Sequence, residues 1–121
     1  MGTLTVTVDC RDPVRLAEFW AALLGYERQG GVAQYASIRP TDGGVRGPKL
    51  IFQAVPEPKV GKNRLHLDID LEPGEPLAPA VERAVALGAT LVGEVVEEHG
   101  LRWQVLADPE GNELCIVAEP G

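Results

Sequence analysis

Several residue types are scarce in this 121-residue chain, and each scarcity argues against a class of protein. Only two cysteines occur, Cys10 and Cys115, without the CxxC spacing of a redox or zinc motif and without the density of a secreted disulfide scaffold. We therefore expect two reduced thiols. Aromatic residues make up 5% of the chain, which is too few for a surface that stacks nucleic-acid bases.

Positive charge and long apolar runs are also in short supply. Eleven Lys and Arg residues stand against 18 Asp and Glu residues, and the resulting formal charge of −7 opposes binding to phosphate backbones and anionic lipid. No apolar run approaches the length that spans a membrane, and the first residues lack the pattern of a secretory signal. We expect one cytoplasmic domain with its own core and with no nucleic-acid or membrane partner.

The first half of the chain predicts a strand, a helix and three further strands. Residues 4–9, "LTVTVD", alternate apolar and polar side chains, which is typical of a half-buried strand. The following helix has Asp12 as its N-cap, Pro13 at its first position and Gly25 at its end. Three strand-like segments follow, "YERQ" and residues 32–39 and 49–55, so the order is βαβββ.

The second half repeats this order, which indicates an internal duplication. "RLHLDID" alternates, a helix ends at Gly88, and three more strand-like segments complete the pattern. Residues 4–9 match residues 65–70 position by position, and a linker rich in Pro, Gly and Lys lies between the halves. The predicted fold is α+β, with two tandem βαβββ modules at residues 1–55 and 64–121, a linker at 56–63, and a helix packed on each module.

The two leading strands each have an apolar and a polar face. The apolar face, which we expect the helices to cover, consists of Leu4, Val6, Val8, Leu65, Leu67 and Ile69. The polar face carries Thr5, Thr7, His66 and Asp68. Such a face is commonly solvated, but duplicated modules often form a pocket at their junction, so we predict that these side chains line a cleft between the modules.

Three motifs resemble one family over nearly the whole chain. "DCRDPVRLAEFWAALLGY", "KNRLHLDID" and "DPEGNELCIV" are similar to motifs of the glyoxalase/bleomycin-resistance/extradiol-dioxygenase superfamily, also called vicinal oxygen chelate proteins, and to its small glyoxalase-like branch. The resemblance implies a mixed sheet that curls into an incomplete barrel around a divalent metal, which chelates adjacent substrate oxygens. It also implies a homodimer. Carried over position by position, the four metal-ligand positions fall on Thr5, Gln53, His66 and Cys115.

The side chains at these four positions are unusual for a metal site. A hydroxyl and an amide are weak ligands, a thiolate selects softer ions such as zinc, and no carboxylate is present among the four. We therefore expect a ligand cleft without a metal, and the alternative is a divalent ion such as Zn, Ni, Mn or Fe at His66 and Gln53. Asp68 and Glu113 either restore a carboxylate to the site or are polar residues at the mouth of the cleft.

Other residues complete the predicted cleft. Trp103 and Tyr35 have the strand parity that directs a side chain toward the cleft, although a core position for Trp103 and a solvent-facing one for Tyr35 are alternatives. His66 and Cys115 are either a base with its nucleophile or a hydrogen-bonded histidine beside an inert thiol. The predicted cleft residues are Thr5, Thr7, Tyr35, Gln53, His66, Asp68, Trp103, Glu113 and Cys115.

Together these features predict a glyoxalase-like protein that binds a small molecule, with a degenerate metal site and a non-metal or altered lyase or isomerase activity as an option. One alternative is a metal-dependent lyase, isomerase or dioxygenase. The other is a binding protein that sequesters a drug, as bleomycin-resistance proteins do. The sequence leaves open whether the protein is an enzyme.

Overall fold

The computed structural model describes residues 3–43 and 46–119, which form two compact units. The division falls between Val60 and Gly61, inside the predicted linker. Each unit contains one helix and four strands in the order βαβββ, and the strands of each unit form one mixed sheet. The predicted α+β fold of two tandem βαβββ modules is confirmed.

Module 1 has its helix between its first and second strands. Its elements are β1 (Thr5–Cys10), α1 (Pro13–Leu24), β2 (Glu27–Val32), β3 (Tyr35–Arg39) and β4 (Lys49–Ala54). The strand order in the sheet is β1-β4-β3-β2, with β1 parallel to β4 and the other neighbours antiparallel. The helix therefore makes the crossover that a parallel pair requires.

Module 2 repeats this arrangement with different strand lengths. Its elements are β5 (Leu67–Asp70), α2 (Leu77–Leu87), β6 (Thr90–Glu98), β7 (Leu101–Ala107) and β8 (Glu113–Ala118). The strand order is β5-β8-β7-β6, and β5 and β8 are the parallel pair. The last strand of each module thus lies beside its first strand.

The helix ends follow the local chemistry of the sequence. An oxygen of Asp12 accepts a hydrogen bond from the backbone N–H of Arg15 at 3.2 Å, and Pro13 occupies the first turn of α1. Gly25 ends α1 at a φ of 70°, a left-handed conformation that glycine adopts without strain. Gly88 ends α2. All of these boundaries were predicted.

One face of each sheet is buried with the help of its helix. In module 1 the buried residues are Ala36, Ile38, Leu50 and Phe52 from the sheet and Leu16, Ala17, Phe19 and Trp20 from α1. In module 2 they include Leu106, Leu114, Ile116 and Ala118 from the sheet and Leu77 and Ala84 from α2. Buried and more exposed side chains alternate along β3 and β4, so the second face of that sheet is free to carry polar groups.

Two of the predicted helix-covered residues are in fact exposed. Leu4 is 71% exposed and Leu65 is 84% exposed. Leu4 directly precedes β1, and Leu65 lies two residues before Leu67, where β5 begins. Neither residue has a paired strand beside it, so the prediction was wrong for both. His66 consequently lies in the segment that leads into β5.

The hairpin between β2 and β3 also differs from the prediction. The predicted strand at residues 32–39 begins too early, because Val32 belongs to β2 and the turn is at Ala33 and Gln34. Gly30 and Gly31 lie within β2 and do not form the turn, and the pairing with β3 shifts between Arg28 and Gly30. The two glycines therefore lie at an irregularity in the pairing of β2 with β3 and not in the turn.

The segment "DPEGN" forms a tight turn between β7 and β8. Oδ1 of Asp108 accepts hydrogen bonds from the backbone N–H groups of Glu110 at 2.9 Å and Asn112 at 3.0 Å. Both carboxylate oxygens of Asp108 also accept from Nδ2 of Asn112. Asp108 is only 3% exposed, so its role is to hold the turn.

None of the helices in the part of the chain that the structure describes has both the length and the apolar character needed to cross a membrane.

Candidate functional site

A group of three potential metal ligands lies on module 2. Asp68 and Cys115 are directly opposite each other across the parallel pairing of β5 with β8, and His66 lies two residues before Asp68. Paired residues of neighbouring strands point to the same face of a sheet, so the first two side chains meet on one face. A nitrogen of His66, an oxygen of Asp68 and the sulfur of Cys115 all lie within 4.8 Å of one another.

His66 and Asp68 are directly paired. Nε2 of His66 lies 3.2 Å from Oδ1 of Asp68, and both side chains are about half exposed, at 51% each. Cys115 is buried, with 9% of its surface exposed. The donor group, as we call His66, Asp68 and Cys115, therefore has a buried thiol at its base and an accessible imidazole and carboxylate above it.

The environment of Cys115 favours the neutral thiol. Burial raises its pKa above the usual value, and the negative charge of Asp68 and the hydrogen bond that the thiol donates to that carboxylate raise it further. The positive charge of Lys62 opposes these effects. A nucleophilic cysteine needs the opposite shift, so this geometry favours the predicted alternative of a protonated, unreactive thiol over a Cys–His nucleophile.

A short anchored segment positions His66. The backbone N–H of Asn63 donates to Oε2 of Glu113 at 2.9 Å, and Nδ2 of Asn63 donates to the backbone carbonyl of Glu113 at 3.0 Å. Glu113 is the first residue of β8, so the segment that precedes β5 is fastened to the start of β8. The carboxylate of Glu113 thus holds the chain that leads to His66 and is not part of the donor group.

The corresponding face of module 1 has a different composition. Thr7 is opposite Ile51 in the pairing of β1 with β4, where Asp68 is opposite Cys115 in module 2. Thr5 is opposite Lys49, and Gln53 is opposite Asp9. Gln53 therefore lies four residues along β4 from the partner of Thr5, about 13 Å at the usual rise of a strand. The register does not bring Thr5 and Gln53 together, and Gln53 as a metal ligand stays a prediction.

The two aromatic candidates lie on strands next to these residues. Tyr35 is directly opposite Gln53 in the pairing of β3 with β4 and is 49% exposed. Trp103 is opposite Val117 in β8, two positions along the strand from Cys115, and is half-buried. Both side chains therefore point away from the helix-covered faces of their sheets.

Sequence comparison supports the family that the motifs suggest. The family model described as a glyoxalase-like domain matches residues 5–117. This chain belongs to the glyoxalase-like domain family. The predicted resemblance is thereby confirmed over almost the full length. A search of curated protein sequences found no match.

Solved structures similar to this glyoxalase-like protein share its fold at low sequence identity. A glyoxalase/bleomycin resistance protein/dioxygenase family enzyme from Burkholderia phytofirmans gives a TM-score of 0.79 at 22% identity, covering 94% of this chain and 95% of that one. A glyoxalase-related enzyme from Fulvimarina pelagi gives 0.76 at 19% identity, covering 98% and 88%. These identities establish the shared fold and leave the activity open.

A fosfomycin resistance protein, FosX from Listeria monocytogenes, shares the fold as well. Its E126Q mutant, complexed with Mn(II) and 1S,2S-dihydroxypropylphosphonic acid, gives a TM-score of 0.77 at 15% identity, covering 98% of this chain and 90% of that one. A relative with this fold thus holds a divalent metal together with a small oxygen-rich ligand.

The donor group of this glyoxalase-like protein fits zinc better than manganese. An imidazole, a carboxylate and a thiolate are all ligands of zinc, and three protein ligands leave the fourth tetrahedral position open, as in catalytic zinc sites. Manganese prefers oxygen ligands, of which the donor group has one residue. The sequence analysis left open whether Asp68 restores a carboxylate to the site or lies at the mouth of the cleft, and the structure has its carboxylate within 4.8 Å of the donor atoms of His66 and Cys115.

Proposed function

We propose that this glyoxalase-like protein binds a small oxygen-rich molecule on the polar face of module 2, at the donor group. The observation that carries the proposal is the convergence of three different donor atoms, from His66, Asp68 and Cys115, within 4.8 Å of one another. The half-exposed imidazole and carboxylate leave the group accessible to a ligand. Groups of titratable residues of this kind are typical of binding and catalytic sites.

Zinc is the cofactor that this donor group fits, with His66, Asp68 and Cys115 as its ligands. A bound zinc ion supplies a Lewis acid that polarises a substrate oxygen. His66 and Asp68 are already paired at 3.2 Å, so little rearrangement is needed to present both to one ion. The thiol of Cys115 loses its proton when it becomes a ligand, so its raised pKa makes metal affinity increase with pH.

Ligand binding without a metal is the second candidate, and the protonated thiol supports it. At neutral pH the metal-free group presents an imidazole, a carboxylate and a neutral thiol, which together can hydrogen-bond a polar ligand. A protein that sequesters a drug needs no more chemistry than this. Trp103, which lies on the strand next to Cys115, belongs to the proposal as an additional ligand contact.

Isothermal titration calorimetry with zinc, nickel and manganese distinguishes the two candidates. We expect zinc to bind with a dissociation constant in the micromolar range or tighter, about −8 kcal/mol, and more tightly than manganese. The variant His66→Asn should weaken zinc binding at least about tenfold, since it removes one ligand. His99→Asn is the matched control, because His99 is exposed in the β6–β7 turn at a φ of 52°, which asparagine tolerates.

The other two ligands have matched controls in the same chain. Asp68→Asn should weaken zinc binding and Asp70→Asn should not, although both residues lie on β5. Cys115→Ser should weaken it and Cys10→Ser should not, because Cys10 is a buried thiol on β1 whose sulfur lies 3.6 Å from the carbonyl of Gln53. Absence of zinc binding in the unaltered protein would remove the metal from the proposal. Native mass spectrometry for retained organic ligands then tests the second candidate.

We also propose that the protein acts in the cytoplasm as a homodimer, as the sequence and the family resemblance predict. Size-exclusion chromatography with light scattering tests the dimer, which requires twice the 12.9 kDa mass of one chain.

A further inference from the structure

Module 1 contains a cavity at one end of its sheet. Its volume is about 730 Å³, which is within the range of small-molecule sites. The start of β1, the first residue of β4 and residues of β2 and β3 line it, together with residues 40, 41, 43, 47 and 48. Four strands of one sheet thus contribute to the cavity.

Two positively charged side chains meet at this cavity. Arg39 and Lys49 both line it, and each is the chain neighbour of one member of the last β3–β4 pair, Ile38 and Leu50. Like charges that lie close together on neighbouring strands are unfavourable. This arrangement is also unexpected in a chain whose formal net charge is −7.

In the part of the chain that the structure describes, one of these two cations has an acidic partner. Nε of Arg39 lies 3.0 Å from Oε1 of Glu27, which also lines the cavity. Lys49 is half-buried, and its ammonium makes no hydrogen bond or ion pair with residues 3–43 and 46–119. Among the described residues that line the cavity, two cations, Arg39 and Lys49, stand against one carboxylate, Glu27, and a partly buried charge gains free energy from a partner of opposite sign.

We propose that this cavity binds the anionic group of a small molecule, a phosphate, phosphonate or carboxylate. The ammonium of Lys49 supplies the charge, and the guanidinium of Arg39 retains terminal N–H donors beyond its contact with Glu27. The hydroxyls of Thr5 and Thr41, which also line the cavity, are further donors for oxyanions. This site belongs to module 1 and does not depend on the donor group of module 2.

Chemical-shift titration of the ¹⁵N-labelled full chain tests the proposal, with inorganic phosphate and acetate as probes at constant ionic strength. We expect saturable shifts at the amides of Thr5, Thr41 and Lys49, with a dissociation constant of about 1 mM for phosphate. Tighter binding of phosphate than of acetate assigns the site to phosphate-like groups, and the reverse assigns it to carboxylates.

Three variants distinguish specific binding at the cavity from non-specific electrostatic attraction of phosphate to the protein. Lys49→Met keeps the aliphatic stem of the side chain and should weaken phosphate binding at least about tenfold, whereas Lys49→Arg should retain it within about threefold. Lys59→Met removes one exposed charge from module 1 outside the cavity and should change nothing. Shifts that do not saturate would overturn the proposal, as would an equal loss of binding in Lys59→Met and Lys49→Met.

A second pair of variants tests the arginine. Arg39→Met should weaken phosphate binding. Arg102→Met should not, although Arg102 forms a comparable exposed contact with Glu97, at 3.7 Å on the sheet of module 2. Equal effects of the two substitutions would show that phosphate affinity depends only on the net charge of the protein. That result would overturn the assignment of Arg39.

Discussion

Asp68 lies directly opposite Cys115 in the parallel pairing of β5 with β8, and its carboxylate accepts a hydrogen bond from the thiol. The same carboxylate lies 3.2 Å from Nε2 of His66. One acidic side chain therefore links the imidazole and the thiol, and its negative charge adds to the effect of burial in raising the pKa of the thiol.

The first prediction concerns the pKa of Cys115 in the variant Asp68→Asn. This substitution removes a negative charge that disfavours the thiolate, so the pKa of Cys115 should fall, although burial keeps it above that of an exposed cysteine. The ultraviolet absorbance of the thiolate, followed against pH in a Cys10→Ser background, measures the change. Asp70→Asn in the same background should leave the titration unchanged, and an upward shift in Asp68→Asn would contradict the assigned cause.

The second prediction concerns stability at alkaline pH. Burial is the main cause that raises the pKa values of Cys115 and Tyr26 above their usual values of 9.0 and 10.0, so both groups bind their protons more tightly when folded. Their stabilising contribution is complete below about pH 9 and is lost as the pH rises through the folded pKa values. The free energy of unfolding should therefore decrease above about pH 9.

Variants identify these two groups as the source of the alkaline loss. Cys115→Ser and Tyr26→Phe should each make the decrease with pH shallower in urea denaturation series. Tyr26→Phe also removes the hydrogen bond of 3.0 Å that the tyrosine hydroxyl donates to the carbonyl of Pro48. The free energy of unfolding of this variant should therefore be lower at neutral pH and should decrease less steeply as the pH rises. An unchanged pH slope in both variants would contradict the assignment to Cys115 and Tyr26.

The third prediction concerns Asn63, which fastens the segment before β5 to Glu113. Asn63→Ala leaves the backbone contact at 2.9 Å but removes the Nδ2 donor at 3.0 Å, and should cost about 1 kcal/mol. Urea denaturation measures this loss. Because the segment also carries His66, zinc affinity should decrease as well. Arg64→Ala, at an exposed position of the same segment, should affect neither quantity, and an unchanged zinc affinity in Asn63→Ala would show that the anchor does not position His66.

The fourth prediction concerns the turn between β7 and β8. Asp108→Ala removes the acceptor of two backbone N–H groups and of the Asn112 amide at a site that is 3% exposed, and should cost about 2–4 kcal/mol. Thermal and urea denaturation measure the loss. Asp42→Ala is the matched control, because Asp42 is exposed and its carboxylate accepts a longer hydrogen bond, of 3.4 Å, from the backbone N–H of Arg46. Similar losses in both variants would contradict the special role of Asp108.

Features that depend on a few consecutive residues could be predicted from the sequence. The N-cap Asp12, the stops at Gly25 and Gly88 and the turn at Asp108 all follow from the backbone preferences of the residues themselves. The exposure of Leu4 and Leu65 could not, because alternation identifies a face of a strand but not the residue at which pairing begins.

The candidate site divides in the same way. The sequence analysis assigned His66, Asp68 and Cys115 to one predicted cleft, but the distances among them depend on the register of β5 against β8, which joins residues far apart in the chain. Gln53 and Cys115 were both carried over from the family resemblance as ligand positions, but the strand pairings around them differ. In the structure Ile51 is opposite Thr7, where Cys115 is opposite Asp68, because the two parallel pairs have different registers.

The sequence by itself determined the duplicated βαβββ order, the family and the polar face of each leading strand, because periodicity and turn chemistry are local properties of the chain. Only the tertiary structure decided which polar residues meet. Pairing between distant strands set the contact of Asp68 with Cys115, the anchoring of Asn63 on Glu113, and the presence of both Lys49 and Arg39 at one cavity. Strand register is a long-range property, and a shift by one residue reverses the face on which every side chain of a strand lies.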